Sequence, residues 1–281
     1  TVNLSNGTDN RLLDVEILGR AVATSTDLYG ALFGLAPGST YSSNVWNNFV
    51  YRSIFRRAKI FMNGSDGTIS ENLLYGFTRD YALRIGAGTL VIANYVGGGL
   101  DFGGIYIANS DMTKTVFSAQ IIGNHFDGDA ANDELRQIYS PAAQLVLGTT
   151  ITGNHGWNSL GEGVRLENSQ GATVTGNFYR NCDADDTGED DIYVSGWGNT
   201  IGPNSHWRGN AAVKLAGPPA RVTLGLPVRV IQATDVMPNI VIPGGVSDDS
   251  DDYISKSHIA YGAKINGGTQ RLFDDFYGAG L

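Results

Sequence analysis

A single cysteine, Cys182, stands in 281 residues. That excludes an internal disulfide and a cysteine-built metal site. Long apolar runs are missing too. None is long enough to cross a bilayer and no signal-like segment opens the chain, so no membrane insertion is expected. The first residue is Thr1, which reads as a processed chain or a fragment. Positive charge is scarce, with 19 Lys and Arg against 28 Asp and Glu for a net charge of −9. A nucleic-acid partner is therefore not expected, because phosphate backbones are met by a basic stripe. Tight binding of strongly anionic polymers is disfavoured as well, unless Arg and Lys cluster locally. Proline is rare, 8 against 38 glycines. With abundant Asn, Asp, Ser and Thr, this is the composition of a turn-rich all-β protein.

What the sequence does contain is a repeated phrase. "IIGNHF" at Ile121–Phe126, "ITGNHG" at Ile151–Gly156 and "VTGNFY" at Val174–Tyr179 are close copies, and "VIANYV" and "TIGPNSHW" are looser ones. Their asparagines, Asn94, Asn124, Asn154, Asn177 and Asn204, are spaced by 30, 30, 23 and 27 residues, and Asn72 precedes them by 22. Unequal intervals of this size fit coils of constant core with loops of variable length. The short, β-branched segments do not fit helical repeats.

A second row of strands alternates with the first: "YALRIGA", "GIYIANS", "GVRLENS", "DIYVSGW" and "AAVKLAG". Leu83/Ile85, Ile105/Ile107, Val164/Leu166, Ile192/Val194 and Val213/Leu215 are expected inside, with Arg84, Tyr106, Arg165, Tyr193 and Lys214 outside. Near the start, "RLLDVEILG" is expected to turn Leu13, Val15 and Ile17 inward, and "FRRAKIFMNG" reads as a further strand. In each phrase the Ile or Val is inside. The Asn marks the turn, where it tolerates a left-handed conformation and hydrogen-bonds its copies in neighbouring coils.

The pattern resembles the right-handed parallel β-helix of the pectin-lyase-like superfamily, whose usual repeat the Gly-Asn phrase matches over residues 12–217. Within that architecture the chain looks most like a bacteriophage tailspike, a polysaccharide-degrading fibre. The resemblance implies an all-β, right-handed parallel β-helix over residues 1–217, with an insertion at about 21–48 and a small C-terminal β cap or oligomerisation extension over 218–281. It also implies side-by-side homotrimers and a location outside the cell, on the virion. No catalytic signature of a pectate lyase is recognisable, and function varies widely on this fold.

Aligning "ELRQIYS", "EGVRLEN" and "DDIYVSG" at a constant interval places Glu134, Glu162 and Asp190 in one outward column, flanked by Asp191. Gln137, Arg165 and Tyr193 form a second column, with Ile138, Leu166 and Val194 in the core. Neighbouring strands stand about 4.8 Å apart, so carboxylates one or two coils apart match the separations of retaining and inverting glycosidases. Crowded like charges raise a pKa, and cleavage needs a protonated acid. Arg165 would hold a second carboxylate ionised or bind hydroxyls. Tyr106, Tyr193, Trp157 and Trp197 offer faces to pyranose rings. His125 and His155 follow the repeated Asn and should stack on consecutive coils, as substrate contacts or as base. The acidic stretches "DADDTGEDD" and "SDDSDD" lack the spacing of a calcium loop, so no metal or cofactor is expected.

The leading expectation is a glycoside hydrolase acting on a bacterial capsule or lipopolysaccharide, with Glu162 and either Asp190 or Glu134 as the catalytic pair, one as acid and the other as base or nucleophile. A lyase or epimerase on the same fold is the alternative, disfavoured because an acidic column repels a uronate. A non-enzymatic glycan-binding adhesin is the third.

Overall fold

The computed structural model describes residues 2–4, 8–19, 29–34, 46–63, 66–76, 81–97, 103–128, 136–159, 161–182, 190–202, 204–207 and 211–216, and the strands at 222–224, 229–230, 239–241, 253–255, 264–266 and 271–273. The described chain contains strands and no helix. They wind into a parallel β-helix of three sheets. Sheet I runs from Val2–Leu4 through Tyr81–Ile85, Gly103–Ile107, Arg136–Ser140, Val164–Gln170 and Asp190–Trp197 to Lys264–Asn266. Sheet II runs from Arg11–Leu13 through Gln120–Ile122 to Arg271–Phe273. Sheet III runs from Glu16–Leu18 through His125–Asp127 and His155–Ser159 to Arg229–Val230. As far as Arg229–Val230 each coil visits I, II and III in turn, and its strands pair in parallel with those of the next coil; beyond it the described strands belong to sheets I and II.

Short strands alternating apolar and polar residues build this cross-section because no single coil can bury its own apolar side. Ile105, Ile107, Val164, Leu166, Ile192 and Val194 are fully buried in sheet I, with Val91, Ile121, Ile151 and Val174 in sheet II and Val96 and Phe126 in sheet III. The tail joins the same stack: Asn239–Val241 pairs with Ala211–Ala216, and Tyr253–Ser255 with Val222–Leu224. Within the stretch expected as an insertion, Tyr29–Gly34 is a strand of sheet I paired with Lys59–Asn63. "FRRAKIFMNG" divides into Ile54–Arg56 and Lys59–Asn63, with left-handed Arg57 at the corner between them.

The repeated asparagines are buried, at 1–2% exposure, and form one continuous ladder. Asn72 Nδ2 donates to Asn94 Oδ1, Asn94 to Asn124, Asn124 to Asn154, Asn154 to Asn177 and Asn177 to Asn204, all at 2.9–3.0 Å. Each amide also donates to a backbone carbonyl of the preceding coil and accepts its backbone N–H. The left-handed residue of the corner is the one before the asparagine: Gly123, Gly153 and Gly176, and, in the looser coils, Glu71 and Ala93. Asp14 and Arg52 hold the same place before Val15 and Ser53. The expectation that Asn itself takes that conformation is corrected accordingly, since a buried amide in a ladder needs ordinary backbone geometry. The same corner explains Leu13. Left-handed Asp14 breaks the alternation, so Leu12 faces the core while Leu13 is 44% exposed.

Ala93 has a φ of 55° in a position that glycine fills three times elsewhere. An L-residue there is strained by roughly 1–2 kcal/mol, and the extra unfolded-state entropy of glycine offsets about half of the relief. Ala93→Gly is expected to stabilise the protein by about 0.5–1 kcal/mol. A denaturation midpoint at or below the parent's would show that the corner carries no such strain.

Candidate functional site

The outward side of sheet I carries two tracks. In the first, Tyr81 pairs with Gly103 and Gly103 with Arg136. In the second, Phe61, Arg84, Tyr106, Tyr139, Arg165 and Tyr193 follow one another coil by coil. Ile138 pairs with Val164 and Ser140 with Leu166, so the sequence alignment is slipped by two residues at this step. Tyr139, not Gln137, is the neighbour of Arg165. Continuing that register two residues back puts Arg136, not Glu134, level with Glu162. A slip of two preserves which side chains face inward, so hydrophobic alternation alone does not detect it. The signal that does is the recurrent Ile-Tyr pair at Ile105-Tyr106, Ile138-Tyr139 and Ile192-Tyr193. Gln137 turns inward at the corner, is 1% exposed, and its Nε2 donates to the Trp157 carbonyl at 3.3 Å.

Glu162 is buried, and both its oxygens are engaged. Arg165 Nη1 donates to Oε1 and Arg136 Nε to Oε2, the latter at 3.0 Å. Arg165 Nε donates to Glu167 Oε1 at 2.7 Å, and Glu167 Oε2 accepts from Tyr139 Oη at 3.1 Å and from the Ala142 amide at 2.9 Å. Burial opposes the charge on Glu167, but the Arg165 hydrogen bond and those from Ala142 and Tyr139 hold its pKa below the ordinary carboxylate value. Burial and the adjacent Glu167 push the Tyr139 phenol up to about 12. Burial lowers and the Glu162 charge raises the pKa of Arg165, with a net rise, so the guanidinium stays charged. Tyr81, Tyr106 and Tyr139 pack as a trio with centroids 5.0–5.9 Å apart. Gly103 makes room for it: a Cβ there would lie 2.2 Å from the Tyr81 ring.

Of the aromatic residues expected to receive sugar rings, Tyr106, Tyr193 and Trp157 each have a guanidinium over the ring, as does Tyr139. Arg84 lies 5.0 Å from the Tyr106 centroid, Arg136 4.8 Å from Tyr139, Arg165 4.5 Å from Tyr193, and Arg180 4.5 Å from Trp157. Such a pairing fixes a long, flexible arginine at modest energetic gain.

On sheet III, His125 and His155 pair on consecutive coils, with rings 5.0 Å apart. Tyr95 stacks on His125 and Phe178 meets His155 at 4.8 Å, so the histidines belong to a longer aromatic column. Burial, His125 and Arg180 together lower the pKa of His155, favouring its neutral form. Asp190 and Asp191 open the strand Asp190–Trp197, and the Val164–Ile192 pairing sets Asp190 opposite Glu162; their side chains, that of Trp197, and the whole of Glu134 lie outside the described residues. Sequence reasoning missed Tyr81, Arg136, Tyr139 and Glu167.

No family model and no curated protein matches the chain. Among solved structures, the chain is similar to the crystal structure of the Dettilon tailspike protein, at 16% identity and a TM-score of 0.46. The match covers 82% of this chain and 55% of that one, so the chain spans little more than half the length of that relative.

Proposed function

We propose that this β-helix binds a bacterial surface polysaccharide along sheet I and hydrolyses its glycosidic bonds, working as part of a tailspike-like homotrimer outside the cell. The observation that carries the reading is the outward track itself. Tyrosines and arginines recur coil after coil from Tyr81 to Tyr193, at the strand spacing of about 4.8 Å, with Glu162 and Glu167 bonded to the arginines of one coil. Hydrolysis needs a proton donor and a second carboxylate. Glu162, buried with both oxygens bonded to arginine, holds Arg136 and Arg165 in position. In this reading Asp190, whose strand register sets it opposite Glu162, is the acid, and Asp191 or Glu134 is the base.

The test is reducing-end release from a panel of capsular and lipopolysaccharide glycans. Asp190→Asn is expected to lower release by about 10²–10⁴-fold, with Asp191→Asn and Glu134→Gln reporting on the base. Release untouched by all three substitutions overturns the assignment. A second reading, β-elimination, is favoured by the presence of Arg136 beside Glu162, since that chemistry needs a cation on the sugar carboxylate. It would add the ultraviolet absorbance of a new double bond, which hydrolysis does not. Glycan retained without any release would leave a binding protein.

A further inference from the structure

The charges on sheet I are layered. The Glu162 side chain is 2% exposed, whereas those of Arg136 and Arg165 are 28% and 25% exposed. The carboxylate lies beneath and the guanidiniums lie over it, so an approaching ligand meets cationic donors. Arg165 uses Nε on Glu167 and Nη1 on Glu162, and its Nη2 is in neither bond. Arg136 gives Nε to Glu162 and also hydrogen-bonds Tyr81. Arg84 continues the same track on an earlier coil, its Nη2 donating to the Asn109 carbonyl at 3.2 Å. In a chain of net charge −9, three arginines, Arg84, Arg136 and Arg165, gather here beside Glu162 and Glu167. The arginines are also pre-set by ion pairs and rings, so little side-chain freedom is left to lose when a planar anion docks. The acidic column expected to repel an acidic sugar is interrupted, because the register puts Arg136 in the place expected for Glu134 while Asp190 stays level with Glu162.

From this layering we infer that the sheet I track takes a carboxylate-bearing glycan, of uronic or sialic acid type, whose carboxylate is met by the outward donors of Arg136 and Arg165. The inference rests on reading this face as the glycan site and holds for hydrolysis and elimination alike. Glu162 and Glu167 do not oppose it, because each is already bonded to arginine beneath or beside the donors.

Retention of the full chain on immobilised polygalacturonate, alginate and polysialic acid, each beside its carboxyl-reduced counterpart, tests this in the cold, with reducing-end release followed separately. At least one acidic probe is expected to be retained, and its reduced form to bind about tenfold more weakly, the loss of one charge-assisted hydrogen-bond pair. Arg165→Gln and Arg136→Gln should weaken the acidic probe by a similar factor and leave the reduced one unchanged. Arg165→Lys, which keeps the charge but not the fork, should fall between. Thermal melts of each variant separate lost contacts from lost folding. Retention of no acidic probe, or equal retention of reduced and acidic forms, overturns the inference. Acid-selective retention without release leaves it standing and sinks hydrolysis. Release from neutral glycans alone does the reverse.

Discussion

Asn124→Ala is expected to cost about 3–5 kcal/mol of folding stability, because one side chain serves three successive coils. Asn124 Oδ1 accepts from the Asn94 amide N–H and from Asn94 Nδ2, both at 2.9 Å. Its Nδ2 donates to the Val91 and Ile122 carbonyls and to Asn154 Oδ1. Alanine removes all of these at once in a position that is 1% exposed. It leaves buried donors and acceptors without partners, at roughly 1–3 kcal/mol for each group that water cannot reach. Asn124→Asp should be little better, because it keeps the acceptor but buries a charge against Asn154 Oδ1. Equilibrium denaturation checks both. A loss under about 1 kcal/mol for Asn124→Ala would mean that water enters the corner and replaces the amide.

The second large effect is expected at Glu162. Removing one partner of a buried ion pair costs about 3–5 kcal/mol when the other is fully buried. Arg136 and Arg165 retain about a quarter of their exposure, so solvent screens part of that loss. Glu162→Ala is expected to destabilise by about 2–3 kcal/mol, and Glu162→Gln, which keeps the shape, by about half as much. Both should also loosen the guanidiniums from the Tyr139 and Tyr193 rings, which lie 4.8 and 4.5 Å from them. A double-mutant cycle with Arg165→Gln would show the coupling directly. Near-zero coupling, or stability within about 0.5 kcal/mol of the parent for Glu162→Ala, would mean that the arginines stand on their rings alone.

The sequence was informative where periodicity and phrase coincided. Alternation identified the inward residues of sheet I correctly from Leu83 to Val194, and the Gly-Asn phrase located a corner shared by coil after coil. It also put His125 beside His155, as the pairing has it. Two features were not legible by the same means. The repeated phrase pointed to asparagines bonded to their copies, as the ladder shows, but not to their burial, since Asn is mostly a surface residue. The partner of Arg165 depended on a register that alternation leaves ambiguous by two residues. Either register keeps Ile138 in the core. The paired Ile-Tyr dipeptides resolve it, and with it the sign of the charge beside Glu162.

The ladder also bears on how the chain acquires its shape. Successive ladder residues are only 22–30 positions apart along the chain. Closing each new coil therefore carries the entropy of a loop of that size, whatever the length of chain already assembled. Assembly can begin at any well-formed pair of coils and zip outward one turn at a time. The unbroken run from Asn72 to Asn204 is the natural starting point. A defect within it would act as a roadblock between two growing halves, so the rate of refolding, and not only its end point, should register the loss of one amide.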